Sequence, residues 1–502
     1  DLVRGTWVQT LTRSGPIVKN TTLIVARTPA FTMTPERKAE AGDGATLSLS
    51  GFPAVDAAGL YQTMKNYPYG CTEQLSARGL TLLHLANQLS EADAAEAREL
   101  IPGLVHQLYA RQRSDGGFSY WGGGNASDSW ASSMAGQFLS EAAAAGFDVQ
   151  KEVLENWKRF QNSLSQAFRL AGNAAFSQLD ECYRLYTLAV AGTPATAAMN
   201  RLKESGQLES RASWMLAAAY AVDGKMKLAG ELLEKGGSGI GEYGASDFTF
   251  GSDLRDKAVV LQTLSLIGDL GRAIPSAQEV AESVNRGRYS TQEAAFAAMA
   301  MDRLQAKVGT QAVRATVGGK EIVSAKSVFS EPVSGRVEVA NTSDGLLYAT
   351  LTSVTKAPSG TAVPASASGL RIDVSYRNAE GAALQPGPLP QGTEFTALVR
   401  VTNPTTADYK SLALSERIPS GWEILNDRLR AGTDPETSDY RDIRDDRCDW
   451  FFDLPHGASK TFSLKLRAAY EGAYTLPSVT CAAMYQPQVA ANTASGTASV
   501  TR

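Results

Sequence analysis

The chain has 502 residues, 43% hydrophobic and 20% charged, with 48 basic against 52 acidic side chains and a net charge of −4. That length exceeds one ordinary core and implies about three domains or more. The even charge balance gives no support for a nucleic-acid partner or an acidic membrane surface, and no run of about 18 apolar residues is present to span a bilayer.

The chain opens Asp1-Leu2-Val3-Arg4, without an initiator Met, a signal peptide or a lipid-anchor cysteine. A piece of a longer protein is therefore expected, with any targeting signal or membrane attachment in the part that precedes it. Residues 1–51 read as strands: Trp7-Val8-Gln9-Thr10-Leu11 and Thr46-Leu47-Ser48-Leu49-Ser50 alternate, and Thr22-Leu23-Ile24-Val25-Ala26 is a short apolar run. This segment is too small for a core of its own. From about 56 to 305 the pattern is helical. Val153, Leu154, Trp157, Phe160, Leu164 and Phe168 recur at three- and four-residue spacing, which predicts one helical face. Helical segments stop at Gly146, Gly192, Gly224 and Gly268, at intervals that predict one helical hairpin per unit, repeated irregularly. Periodicity alone leaves a solenoid and a closed α/α toroid equally open. Near 306 the alternation of strands returns, in Val313–Val317 and Arg336–Val339. Residues 353–367 read as a Ser/Pro/Ala/Gly-rich linker, and Phe395–Val401, Ser411–Glu416, Thr461–Leu466 and Ser478–Ala483 predict a β-sandwich.

The segment that carries chemistry is Asn66-Tyr67-Pro68-Tyr69-Gly70-Cys71-Thr72-Glu73-Gln74-Leu75, followed by a helical pattern through Leu82 and Leu85. Cys71 and Gln74 stand at i and i+3 on one side of a first helical turn, which puts a thiol within reach of a carboxamide carbon. Attack with loss of ammonia would close an internal thioester. Such a bond needs a dry enclosure, for which Tyr67 and Tyr69 are placed. Gly70 would let the backbone bend closely, Pro68 would stiffen the approach, and Glu73 would orient the loop or cap the turn. The free N–H groups of the helix start would favour a thiolate and an oxyanion at Gln74.

These residues resemble the Pro-x-Gly-Cys-x-Glu-Gln motif of the thioester-containing α2-macroglobulin and complement family, and Tyr-Pro-Tyr-Gly-Cys is similar to its bacterial branch. Ser114-Asp115-Gly116-Gly117-Phe118-Ser119-Tyr120-Trp121, Tyr440–Arg447 and Met484-Tyr485-Gln486-Pro487 agree with that branch. The resemblance implies a multidomain α and β protein. In it, residues 1–51 and 306–366 form the halves of a CUB-like β domain, and an α/α toroid thioester domain at 52–305 is inserted between them. Residues 367–502 form a C-terminal macroglobulin-like β-sandwich. It implies a single-use protease inhibitor and not a turnover enzyme. Target proteases would be acylated through lysine amines after bait cleavage elsewhere in the full chain, which would act as a monomer in the periplasm or cell envelope, without cofactor or metal. Complement-type relatives carry a histidine shortly after the Asp-Gly-x-Phe loop; here Trp121–Trp130 has none, so direct aminolysis is expected, with Asn125 as the residue tuning acylation. Met484 is expected to fold over the thioester, in which case Met484→Ala should speed spontaneous thioester loss; an unchanged hydrolysis rate would sink that expectation.

Other candidates read more plainly. Asp442, Asp445 and Asp446 interleave with Arg441, Arg444 and Arg447, which predicts an ion-pair ladder before a calcium site. The sequence has four cysteines and three histidines, with no C-x-x-C and no metal-ligand spacing. Cys182 reads as core; pairing of Cys448 with Cys481 stays open. His84 and His106 fall in helices and His456 in a turn. A carbohydrate-active toroid would need paired carboxylates, for which Asp115 and Asp128 are the candidates, and a non-reactive binding module is the remaining alternative.

Overall fold

The computed structural model describes residues 4–9, 17–25, 31–33, 44–170, 175–237, 248–308, 313–333, 337–343, 346–355, 362–425 and 438–502. Two compact units are present, one built on Ile17–Thr355 with the strand at 4–9, the other on Lys356–Arg502. The strand readings at Thr10, Leu11, Ala26 and Arg336, and the linker reading at 356–361, lie outside the described residues.

In the first unit, strands β1 (Arg4–Gln9), β2 (Ile17–Val25), β3 (Phe31–Met33) and β4 (Gly44–Ser50) precede the helices; β5 (Val313–Val317), β6 (Lys320–Ser324), β7 (Val328–Val333), β8 (Val337–Asn341) and β9 (Leu347–Thr355) follow them. The two groups share both sheets, ordered β1-β2-β9-β4-β7 and β3-β8-β5-β6. β4 lies between β7 and β9, with Leu47 opposite Leu351 and Leu49 opposite Ala349. The inward residues of the period-two alternation, Leu47, Leu49, Val313, Ala315, Val339 and Ala349, form one core. Strands β1, β2 and β4 thus complete a sheet whose other strands arrive more than 250 residues later.

Between them lie α1 (Ala57–Lys65), α2 (Thr72–Leu85), α3 (Glu91–Tyr109), α4 (Ser129–Ala144), α5 (Lys151–Ala167), α6 (Ala175–Val190), α7 (Thr196–Ser205), α8 (Ser210–Val222), α9 (Met226–Gly236), α10 (Asp253–Ile267), α11 (Leu270–Asn285) and α12 (Thr291–Val308). Packing runs from α2 to α4, α6, α8, α10 and α12, and α12 returns to α2, closing a ring. These helices run parallel. Glu73 near the start of α2 meets Thr291 at the start of α12, while His84 near its end meets both Asp302 of α12 and Glu141 of α4. Ser129 meets Asp180, Gln178 meets the backbone at Glu209, Arg211 meets Asp256, and Arg255 meets Gln292, so every N-terminus lies on one rim. Ring helices are buried on nearly all faces, as α2, α8 and α12 show, whereas the intervening helices bury a single stripe. The four predicted glycine stops follow α4, α6, α8 and α10 with φ of 86, 71, 77 and 82°, and one further helix separates each pair. The stripe of α5 differs from its sequence reading. It runs through Val153, Trp157, Gln161 and Ser165, leaving Phe160 and Leu164 half-buried, because Gln161 bonds Ser133 of α4 and Arg184 of α6.

The second unit holds β10 (Ser366–Ser368), β11 (Arg371–Asn378), β12 (Ala383–Leu384), β13 (Leu389–Pro390), β14 (Glu394–Thr402), β15 (Tyr409–Arg417), β16 (Trp422–Ile424), β17 (Tyr440–Ile443), β18 (Arg447–Leu454), β19 (Ser459–Ala468), β20 (Gly472–Leu476), β21 (Thr480–Ala483), β22 (Gln486–Asn492) and β23 (Gly496–Thr501). Its sheets, β10-β22-β21-β15-β18-β17 and β12-β11-β14-β19-β16, enclose a core that includes Leu412, Leu414, Trp450, Phe452, Val399 and Phe462. A third, β13-β23-β20, lies at the side of the chain's end. Cys448 and Cys481 are free, buried thiols. They lie in one sheet, not across the sandwich: Cys448 is opposite Glu416 and Cys481 opposite Leu414, with β15 between them. Two strand spacings, about 9–10 Å, exceed the reach of a disulfide at roughly 7 Å between Cα atoms. Cys182 is fully buried in α6.

Candidate functional site

Helix α1 ends at Asn66, and Pro68 two residues on cannot continue it. The chain crosses in extended form and enters α2 with Cys71 as N-cap, at φ −68° and ψ 169°. The thiol accepts from the Gln74 backbone N–H at 3.4 Å, and the Cys71 N–H donates to Gln74 Oε1 at 3.0 Å. This is a capping box in which sulfur stands where a serine hydroxyl usually does. Both side chains are fully buried. The carboxamide nitrogen of Gln74 faces the Tyr67 hydroxyl at 3.3 Å, and the Tyr67 ring meets Tyr69 edge to face at 5.8 Å. The thiol and both ends of the carboxamide are therefore all held over one helical turn.

A second loop braces the first. The Thr72 N–H donates to the Tyr120 carbonyl at 2.9 Å and its hydroxyl to the Ser119 carbonyl at 2.5 Å. The Arg111 guanidinium donates to the carbonyls of Gly70 at 2.5 Å and Tyr120 at 3.1 Å, and to Thr72 Oγ1 at 3.3 Å. Neither Arg111 nor Thr72 was legible as a site residue, since a guanidinium that binds carbonyls leaves no signature in spacing. Gly70 departs from its sequence reading: its φ is not left-handed, and a Cβ there would meet Leu75 at an ordinary 3.6 Å. Its part is the carbonyl that Arg111 holds. Gly116 is the glycine that geometry requires, at φ 95° with a Cβ position 2.3 Å from the Asn156 carbonyl oxygen. Gly116→Ala is expected to cost about 2–3 kcal/mol, seen as a lower urea midpoint, because the clash is with backbone and the conformation is left-handed. A midpoint equal to wild type would show that the loop relaxes.

Of the two roles expected for Glu73, orienting the loop or capping the turn, the cap belongs to other residues. The cap is made by Cys71 and Gln74, while the fully buried Glu73 carboxylate accepts from the Thr291 hydroxyl at 3.0 Å, tying the first turn of α2 to α12. Pro68 and Tyr67 are half-buried and Tyr69 is buried. Asn125 is exposed on the loop between Trp121 and Asp128. Met484, just past β21, is buried, and its N–H donates to the Ser411 carbonyl at 3.1 Å. Asp115 Oδ1 accepts from the Gly117 N–H and Ser127 hydroxyl, holding its own loop, and Asp128 caps α4 through the Ala131 N–H. Burial, which outweighs that hydrogen bond, together with nearby Asp180 pushes Asp128 up to about 6. His84 lies thirteen residues along α2 from Cys71, about 20 Å by helical rise. His106 is exposed on α3, and exposed His456 bonds Asp408 at 2.8 Å. Arg444 pairs with Asp442 and Arg447 with Asp446, two of the pairs that the interleaved charges predict, and Arg447 also pairs with Asp449.

Residues 369–488 match the family model of the bacterial alpha-2-macroglobulin MG10 domain. The alpha-2-macroglobulin of Xylella fastidiosa strain Temecula1 is 26% identical over 97% of this chain and 32% of its own length. That of Rickettsia conorii is 23% identical over 88% of this chain and 24% of its own. The chain thus spans about a third or less of the curated relatives it matches. Native Escherichia coli alpha-2-macroglobulin from domain MG7 to the C-terminus superposes with a TM-score of 0.78 at 18% identity, over 97% of this chain and 82% of that one. Salmonella alpha-2-macroglobulin reacted with methylamine does so at 0.78 and 20% identity, over 97% of this chain and 36% of that one; at such identities the likeness concerns the fold. A helical region set within shared β-sheets and followed by a β-sandwich is the multidomain architecture that the chain shares with these structures. More particularly, the chain is similar to bacterial alpha-2-macroglobulins in sequence and, in fold, to their region from domain MG7 to the C-terminus.

Proposed function

We propose that Cys71 Sγ and Gln74 Cδ join as an internal thioester, and that this region is the acylating part of a covalent protease trap. The observation that carries the reading is the buried reciprocal pairing of the two side chains over the first turn of α2. Ring closure forms the S–C bond, breaks the C–N bond and sends the thiol proton out with the nitrogen as ammonia. Opening by a lysine amine forms an amide at Gln74 and returns the Cys71 thiol, so each molecule reacts once and does not turn over. The bait segment whose cleavage would trigger exposure belongs to the rest of the full chain. In this reading the ring of helices is an α/α toroid, the two sheets that share strands from either side of it are a CUB-like domain, and the protein meets foreign proteases as an exported component of the cell envelope.

Intact mass tests the chemistry directly. The expected result is a mass short by one ammonia, restored as a methylamine adduct with release of one thiol per chain. Full mass in freshly purified native protein, with no methylamine uptake, would overturn it. Cell fractionation of the full-length protein tests the location, for which recovery in the cytosol would be the contrary result.

A further inference from the structure

The two ends of the Gln74 carboxamide are distinguishable. A backbone N–H can only donate, so the group facing the Cys71 N–H at 3.0 Å is the oxygen, and the nitrogen is thereby turned to the Tyr67 hydroxyl at 3.3 Å. An amide at Gln74 is both the reactant for ring closure and the product when ammonia reopens the ring. Its nitrogen therefore marks the place that ammonia leaves and, by microscopic reversibility, the place an attacking amine enters. On the reading of Cys71 and Gln74 as a thioester pair, we propose that the Tyr67 hydroxyl is the seat of that nitrogen and selects primary amines, with the Cys71 N–H as the oxyanion donor of both steps.

The roles follow from the atoms. As sulfur attacks Cδ, negative charge develops on Oε1, where the Cys71 N–H already points. In opening, the amine nitrogen bonds Cδ, the C–S bond breaks, and one amine proton passes to the departing sulfur, restoring the thiol. A primary amine leaves one N–H on the new amide, which can donate to the Tyr67 oxygen as the Gln74 nitrogen does here. A secondary amine leaves none, and the hydroxyl faces a nitrogen with nothing to offer. Tyr67 touches the reacting nitrogen and is thus a catalytic residue, a role separate from any contribution of its ring to keeping water out.

The experiment compares thiol release by methylamine and by dimethylamine, each at several pH values, in wild type and Tyr67→Phe. Wild type is expected to favour methylamine, and Tyr67→Phe to lower the methylamine-to-dimethylamine rate ratio by roughly three- to tenfold, the effect of one hydrogen bond. A variant with the wild-type melting temperature that keeps its ammonia is the stronger form of the same result, since the departing nitrogen has then lost its seat. A ring that only shields gives the opposite pattern: both amines change together and the ratio stays at the wild-type value, which overturns the proposal. Absence of ammonia loss in wild type is a different outcome, for it removes the thioester reading and this inference with it.

Discussion

Cys71→Ser is expected to leave the protein folded, at full mass and inert to methylamine. Serine is among the best N-caps, so its hydroxyl can accept from the Gln74 N–H as the thiol does, and the reciprocal bond to Gln74 Oε1 uses only backbone. On the thioester reading, what is lost is the sulfur that displaces ammonia from the Gln74 amide. Cys71→Ala removes the cap as well and is expected to cost about 1 kcal/mol of stability besides. The pair of variants separates chemistry from architecture: amine uptake should vanish in both, and the melting temperature should fall only in the alanine variant. Methylamine incorporation by Cys71→Ser would show that the acyl group is held elsewhere.

His84→Leu carries the larger stability effect. His84 is buried near the end of α2 and bridges Glu141 of α4 and Asp302 of α12, each at 2.7 Å, on opposite ring nitrogens. Burial opposes the imidazolium, but the two carboxylates outweigh it and raise the group to about 9. Leucine would take from the largely buried Glu141 the cation it touches and leave it only Arg303 nearby, at a cost of about 3 kcal/mol. Because the folded value lies above the unfolded one of about 6.5, the contribution of His84 is complete below pH 6.5 and fades as pH rises through 9. The linked loss comes to about 3 kcal/mol. Glu141 runs the other way: burial raises it, His84 and Arg303 outweigh that, and its lowered value means its contribution is lost only as pH falls. Urea midpoints at pH 6 and pH 9.5 check this. The gap between wild type and His84→Leu should be wide at the lower pH and narrow at the higher; an equal gap at both would remove the imidazolium from the account.

Much of the candidate site lies in local sequence, because a capping box joins residues three apart and Pro68 precedes it. The same locality made the glycine stops of α4, α6, α8 and α10 legible. Where partners come from elsewhere in the chain, sequence fell short. For Glu73, orienting the loop and capping the turn were both open until Thr291, 218 residues away, claimed its carboxylate. The helical face read for α5 omitted Gln161 because the polar groups of α4 and α6 that receive it are invisible from α5 alone. Cys448 and Cys481 stayed ambiguous because strand order, with β15 between them, is a property of the sheet.

By itself, then, the sequence determined the Cys71–Gln74 pairing, the alternation of helical hairpins and the β character of both flanks, all consequences of spacing within one or two turns or strands. The tertiary structure decided what closes the ring, since α2 meets α12 through Glu73–Thr291 at one rim and His84–Asp302 at the other. It also decided which carbonyls Arg111 grips and which way the Gln74 amide turns. Those depend on groups brought together by burial, whose hydrogen bonds must be satisfied once water is gone.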